Sequence, residues 1–203
     1  MKPILLIIIS IFLFSCDSKA QTKNSNKENI NHSDHIYGKK LLEKDFLKYA
    51  DDSKKEDLKT QLINNFDIYD ENNLKIVHID AEALAEFNFD FFLPQLNTIL
   101  QQRNLHLIVE PAADYEKTND IIINNEKIKL YTQKEVDNQL FWDTAPRNFF
   151  KKINEILQSN HLDEQFYLLY GGNDLQSILL TNEQFSIISE YFINNEEEKP
   201  YKP

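Results

Sequence analysis

FYLLYGGNDLQSILL, residues 166–180, is the stretch of this sequence that predicts its fold most directly. Two apolar runs, 166–170 and 175–180, flank a polar, glycine-containing segment. The four residues of that segment are Gly171, Gly172, Asn173 and Asp174. Glycine tolerates a positive φ, and such residues between two apolar runs are typical of the turn of a β-hairpin. The stretch therefore predicts two paired strands.

A helix is expected on each side of this hairpin. After it, Thr181 and Gln184 have the spacing of a capping box ahead of an amphipathic segment. Before it, residues 149–157 carry an apolar stripe at helical spacing. Pro146 indicates where that helix starts, because proline suits the first turn.

The remaining strands and helices are expected nearer the N-terminus. Residues 74–79 and 105–109 have the alternation or β-branched content of strands, and residues 121–131 resemble a second hairpin. Helical spacing is present at 41–49, and residues 81–87 are rich in helix formers. The predicted class is α+β: a mixed, partly antiparallel sheet of about five strands with helices packed against it.

The first residues have the order of an export signal. A basic start, Met1-Lys2-Pro3, precedes an apolar run over residues 4–14, which is too short to span a bilayer. Leu13, Phe14, Ser15 and Cys16 then resemble the lipobox of bacterial lipoproteins. The resemblance implies cleavage before Cys16, lipid on that cysteine, and a membrane-anchored protein facing the periplasm or cell surface. An ordinary secretory signal that leaves Cys16 as a free thiol is the alternative.

This pattern predicts four segments. Residues 1–15 are the signal peptide, and 16–37 are the lipidated cysteine and a flexible tether, whose polar composition cannot bury enough apolar surface to order it. Residues 38–193 form a single globular domain, and 194–203 a polar acidic tail.

The charge of the chain limits its partners. The formal net charge of −11 disfavours nucleic acid, whose phosphates would be repelled. It favours a basic protein partner, or simply a well-solvated surface.

The sequence contains no clear catalytic motif. With three glycines in all, it has no phosphate loop, nucleophile elbow or HExxH signature. We therefore expect no enzyme activity, no cofactor and no metal, although His32, Asp34 and His35 could offer metal ligands. The residues that acid–base chemistry could use are few: Glu110, Asp114, Asp143, His78 and His106. The two histidines could approach one another within a sheet.

Two places are candidate partner-binding sites. Trp142 with Asp143, in a predicted loop, offers the only tryptophan for an interface. The residues of the hairpin turn, Gly171 to Asp174, are the second. The aromatic residues around Asn88, at positions 87, 89, 91 and 92, are expected to be core rather than surface.

Three classes of function fit these features. The first is an envelope lipoprotein that binds a protein, as immunity factors bind toxins; residues 166–192 are similar to the strand, hairpin and helix that end such proteins. The second is a small-molecule or glycan-binding lipoprotein that stacks ligands on Trp142, Tyr131 or Tyr170. The third is a hydrolase acting outside the cytoplasm.

Overall fold

The computed structural model describes residues 32–203. Leu13, Ser15 and Cys16 lie outside the described residues, so the signal peptide and the lipid anchor stay predictions. Within residues 32–203, none of the helices is both long and apolar enough to cross a bilayer.

Helices and strands alternate irregularly along the chain. The helices of the described part are α1 His32–Glu43, α2 Lys55–Asn65, α3 Ala81–Ala85, α4 Leu93–Gln101, α5 Tyr115–Thr118, α6 Gln133–Asp137, α7 Phe141–Ser159 and α8 Asn182–Tyr191. The strands are β1 Ile76–His78, β2 Val109–Pro111, β3 Asp120–Ile123, β4 Glu126–Lys129, β5 Glu164–Leu169 and β6 Gln176–Thr181. Single turns of 3-10 helix occur at Glu71–Asn73, Phe89–Phe91 and Gly172–Asp174.

The strands form two three-stranded antiparallel sheets, with orders β1-β6-β5 and β2-β3-β4. The α+β class and the hairpin of residues 166–180 are confirmed, but the single mixed sheet of about five strands is wrong. Apolar alternation identifies strands without specifying their partners. Leu107, in the predicted strand 105–109, is instead paired by a side chain: its N–H donates to Asn97 Oδ1 at 2.8 Å, and Asn97 Nδ2 donates to its carbonyl at 2.9 Å.

The first sheet separates two apolar clusters. Val77, Leu168 and Leu179 point into the larger cluster. Ile76, Tyr167 and Ile178 point into the smaller one. Because successive residues of a strand face opposite sides, residues 166–169 and 177–180, at most 1% exposed, must be apolar or small on both faces. The hairpin is therefore the middle layer of the domain.

Helix α7 begins earlier than its proline indicates. It starts at Phe141, so Pro146 is buried inside the helix and Trp142 and Asp143 belong to its first turn rather than to a loop. Proline inside a helix removes one backbone hydrogen bond, yet the apolar stripe of Phe149, Phe150 and Ile153 is fully buried and offsets that loss. The predicted start at Pro146 is wrong.

The N-terminal boundary of the domain also differs from the prediction. Helix α1 begins at His32, so residues 32–37 are helical and the tether predicted through residue 37 is wrong there. Asp34 is buried and accepts a hydrogen bond from the Tyr191 hydroxyl at 2.8 Å. Tyr37 packs edge-on against the rings of Phe66 and Tyr191. These partners are distant in sequence, so the local composition did not reveal them.

The predicted C-terminal tail is likewise part of the domain. Tyr201 forms an isolated antiparallel bridge with Leu168 of β5, with N···O distances of 2.8 and 2.9 Å. Glu198 Oε2 accepts the hydroxyl groups of both Tyr69 and Tyr170. The predicted boundary at residue 193, with a polar acidic tail over 194–203 outside the domain, is therefore wrong.

Candidate functional site

The turn of the hairpin has an exposed, locally ordered structure. Gly172 has a φ of +60°, a conformation that favours glycine. Gly171 is not required by packing, because a Cβ on it would meet no atom within 4 Å. Residues 171–174 are exposed. His78 of β1 anchors the turn, because its Nε2 lies 2.7 Å from the carbonyl oxygen of Asn173. A carbonyl can only accept, so this ring nitrogen carries the proton.

Trp142 is the exposed end of a chain of aromatic rings. Its side chain is 40% exposed, and its ring centroid lies 4.3 Å from that of Phe141. Phe141 in turn packs on Tyr131, at 5.3 Å. Leu140, just before the helix, is 56% exposed. The start of α7 therefore presents an apolar surface that residues 32–203 leave uncovered.

The structure places both predicted partner-binding segments at one end of the domain. Helix α7 and strand β5 are consecutive, pack on each other and run antiparallel, so the start of α7 and the end of β5 are neighbours. Arg147 connects them: its Nε donates to Asp143 Oδ2 at 2.8 Å, and its guanidinium lies 4.9 Å from the ring of Tyr201. The Tyr201 hydroxyl donates to the Tyr170 carbonyl at 2.7 Å, next to the turn.

Helix α3 contributes an acidic surface to this end, because it contacts both α7 and the turn at Gly172–Asp174. Residues 76–102 contain no lysine or arginine. They carry four carboxylates: Asp80, Glu82, Glu86 and Asp90. Phe91 is 52% exposed, and its ring lies edge-on to His78 at 5.5 Å. We call this surface, formed by residues 80–91, 140–143 and 171–174, the hairpin end.

Two clefts border the turn at the hairpin end. One, of about 540 Å³, is lined by Glu71, His78, Tyr170, Asp174 and Gln176. The other, of about 400 Å³, is lined by Tyr170, Gly171, Asp174, Glu196, Glu197, Lys199 and Tyr201. A third cleft, of about 610 Å³, lies at the opposite end of the sheet, where β5 begins and β6 ends.

No protein-family model, no curated protein and no solved structure matches this chain.

The predicted acid–base carboxylates do not form one site. Asp143 is paired with Arg147 on α7, whereas Glu110 is exposed on β2 of the second sheet. Asp114, before α5, lies 3.0 Å from Lys127 Nζ. The hydrogen bond from Lys127 holds the pKa of Asp114 below its usual value.

The histidines are also separate. His78 belongs to β1 of the first sheet, whereas His106 is exposed just before β2 of the second, so the expectation that they meet within a sheet is wrong. In the described part of the chain, no group of three histidine, cysteine, aspartate or glutamate residues could hold a metal ion.

The predicted aromatic residues divide between core and surface. Phe89 and Phe92 are buried and Phe87 is partly buried, as expected, but Phe91 is exposed. Tyr131 is only 7% exposed and donates its hydroxyl to the Ala85 carbonyl, so it cannot be a stacking platform. Tyr170 is half-buried and bonded to Glu198.

The structure contains a buried ion cluster that the sequence did not predict. Glu164, at the start of β5, accepts two hydrogen bonds from Arg103, at 2.8 and 2.9 Å, and one from Lys75 at 2.7 Å. All three residues are at most 6% exposed. Burial acts to raise the pKa of Glu164, but Arg103 and Lys75 outweigh it and lower that pKa to about 2. No local sequence pattern predicts the cluster, because its three residues lie far apart along the chain.

The ion cluster is a structural element of the domain. Arg103 also donates to the carbonyls of Leu74 and Ile99, and its guanidinium lies 4.0 Å from the ring of Tyr49. Lys75 donates to the Leu179 carbonyl as well. Two buried cations thus share one carboxylate and several carbonyls. The cluster joins the end of α4 to both β1 and β5.

Proposed function

We propose that this chain is an envelope lipoprotein whose domain binds a basic protein at the hairpin end, in the manner of an immunity protein that neutralises a toxin. The observation that supports this most is an acidic segment free of lysine and arginine that carries the exposed Phe91, together with the exposed Trp142 on helix α7, which contacts α3 of that segment.

Exposed rings of this kind are suited to binding a protein. Aromatic residues supply much of the binding energy at protein interfaces because they bury a large area and lose little rotamer freedom. Phe141 and Tyr131 support Trp142 from behind, and Arg147 fixes Asp143 next to it. These contacts within the chain position Trp142 and Asp143.

The surrounding carboxylates suit a basic partner. Glu82, Glu86 and Asp90 are exposed, and Asp80 caps α3 by accepting from the N–H groups of Glu82 and Ala83. Acidic groups around an apolar centre accelerate association with a positively charged protein and disfavour acidic competitors. Raised salt should weaken such an association, since it screens exposed charges.

The membrane part of the proposal depends on residues 13–16. Lipid on Cys16 would hold the domain at the envelope, where a secreted toxin or another basic envelope protein could be met. Replacing Cys16 with serine should release the protein from sedimented membranes. Continued sedimentation of the Cys16→Ser chain would contradict the lipid anchor.

The binding proposal is tested with the detergent-solubilised full-length chain, immobilised and exposed to envelope extract and to secreted proteins of neighbouring strains. We expect near-stoichiometric recovery of one basic protein, weakened by salt and lost with Trp142→Ala. Ile108→Ala is the matched control, because Ile108 is 64% exposed and precedes β2 of the second sheet. Recovery of nothing, or equal recovery by the wild-type and Trp142→Ala chains, would contradict the proposal. Specific retention of a glycan would favour the small-ligand alternative.

A further inference from the structure

The cleft of about 540 Å³ beside the hairpin turn has an unusual balance of hydrogen-bonding groups. Its lining contains two carboxylates, Glu71 and Asp174, and no lysine or arginine. Neither carboxylate has an ion-pair partner among the described residues. The lining therefore carries negative charge that the fold leaves uncompensated.

Most of the other polar groups of this lining already donate their hydrogen bonds to groups outside the cleft. His78 donates from Nε2 to the Asn173 carbonyl, so Nδ1 is the ring nitrogen left for a ligand. The Tyr170 hydroxyl donates to Glu198, which leaves its oxygen able only to accept. The amide of Gln176 is the one lining side chain with donors to spare. A ligand for this cleft must therefore bring donors and positive charge.

An exposed aromatic ring contacts one residue of this lining, His78. Phe91 is edge-on to His78 at 5.5 Å and is 52% exposed, although the other phenylalanines of its segment are largely buried. A ring beside a group of acceptors suits a cationic side chain with an apolar stem, because the stem can pack on the ring while the charged head meets the carboxylates.

We infer that this cleft receives an arginine side chain of the basic partner, so the inference rests on the proposed function. Guanidinium presents five donors in a planar fork and can satisfy two carboxylates and an imidazole nitrogen together. Lysine has three donors on one point charge and matches this spread of acceptors less well. Phe91 packs on the methylene stem, and Glu71 and Asp174 bind the charged head.

The inference is tested on the full-length chain with labelled histidines, by titration with N-acetyl-arginine amide while the imidazole signals of His78 are followed. Two analogues are compared: the lysine derivative, and the citrulline derivative, which has the shape of arginine without its charge. We expect a saturating shift with arginine, a weaker one with lysine and none with citrulline. Equal responses to the three, or no saturating shift with arginine, would overturn the inference.

Variants distinguish this inference from the proposed function. Asp174→Asn and Glu71→Gln should each weaken arginine binding about tenfold, since each loses a charged hydrogen-bond acceptor. Glu116→Gln, an exposed carboxylate on α5, changes the net charge equally and should have no effect. If both cleft variants still recover the basic protein at the wild-type yield, the cleft inference is wrong and the proposed function stands. If no basic protein is recovered but arginine binds, the proposed function is wrong.

Discussion

The side-chain amide of Asn154 forms two hydrogen bonds with the backbone of Phe166. The Phe166 N–H donates to Asn154 Oδ1 at 2.7 Å, and Asn154 Nδ2 donates to the Phe166 carbonyl at 2.9 Å. Strand β5 is at the edge of its sheet, so these backbone groups would otherwise lack a partner. One side chain of α7 thus takes the place of a fourth strand.

Replacing Asn154 with alanine should therefore lower the free energy of unfolding by about 1–3 kcal/mol, the cost of leaving buried backbone groups unpaired. Urea unfolding followed by circular dichroism measures the change. Asn138→Ala is the control, because the Asn138 amide bonds only to the nearby Lys134 carbonyl on the surface. Equal effects of the two variants would show that the amide of Asn154 does not protect the edge.

Glu164→Gln should be far more destabilising than an exposed carboxylate change. Removing the charge leaves Lys75 and Arg103 buried and facing each other, which typically costs about 3–5 kcal/mol. Glu183→Gln breaks only the exposed pair with Lys44 and should cost about 0–1 kcal/mol. Unfolding midpoints in denaturant compare the two. A Glu164→Gln chain as stable as Glu183→Gln would refute the structural role of the ion cluster.

The pKa of Glu164 allows a prediction of how the stability of the protein changes with pH. The pKa of Glu164 is about 2 in the folded protein against an ordinary 4.5, so the folded state binds fewer protons. Its stabilising contribution, about 3 kcal/mol, is fully present above pH 4.5 and is lost as the pH falls toward 2. Unfolding free energies measured between pH 6 and pH 3 should show this decline. In Glu164→Gln the corresponding part of the decline should vanish.

Tyr201→Pro should expose the edge of β5 at Leu168. The substitution removes the N–H that donates to the Leu168 carbonyl at 2.9 Å, and an open edge strand promotes pairing between molecules. Light scattering after size-exclusion chromatography should therefore detect dimers or larger species. Tyr201→Phe loses only the hydroxyl bond to Tyr170 and should stay at the mass of the wild-type protein. Identical masses for all three would argue against edge protection by this residue.

Gly38→Ala tests whether α1 belongs to the domain. A Cβ at this position would lie 2.2 Å from the backbone oxygen of Leu62 in α2, so the two helices would have to separate. We expect a loss of about 1–3 kcal/mol or more, as in other overpacked contacts. Lys39→Ala, at the exposed neighbour, should be nearly neutral. Thermal unfolding of the two variants would show no difference if α1 were not packed on α2.

The parts of this fold that are specified locally were predicted from the sequence. The glycines at 171 and 172 identified the hairpin, and the capping box of Thr181 and Gln184 is present at the start of α8. Pro146 was misleading, because burial of Phe149 and Phe150 extends α7 through it. The pairing of strands into two sheets, like the ion cluster at Glu164, depends on residues that meet only in the folded chain, so local patterns did not disclose them.

In the candidate site, too, the residue types were predictable from the sequence, but their arrangement in space was not. Trp142 and the hairpin turn were identified from residue type alone, but their proximity arises from the antiparallel packing of α7 on β5. Phe91 was expected in the core, and only the tertiary structure exposes it beside His78. The Glu71 side of the cleft had no sequence signal, because an isolated glutamate before a strand is ordinary.

The order β1-β6-β5 has a consequence for how the chain folds. Ile76 pairs with Ile178, about a hundred residues later, so the first sheet closes only when nearly the whole described chain is available. Helices α1 and α2 pack on a face of that sheet and have no complete surface to dock on before then. A nascent chain that ends before β6 should therefore remain a substrate for chaperones and proteases, and the final strand should commit the whole domain to its folded state at once.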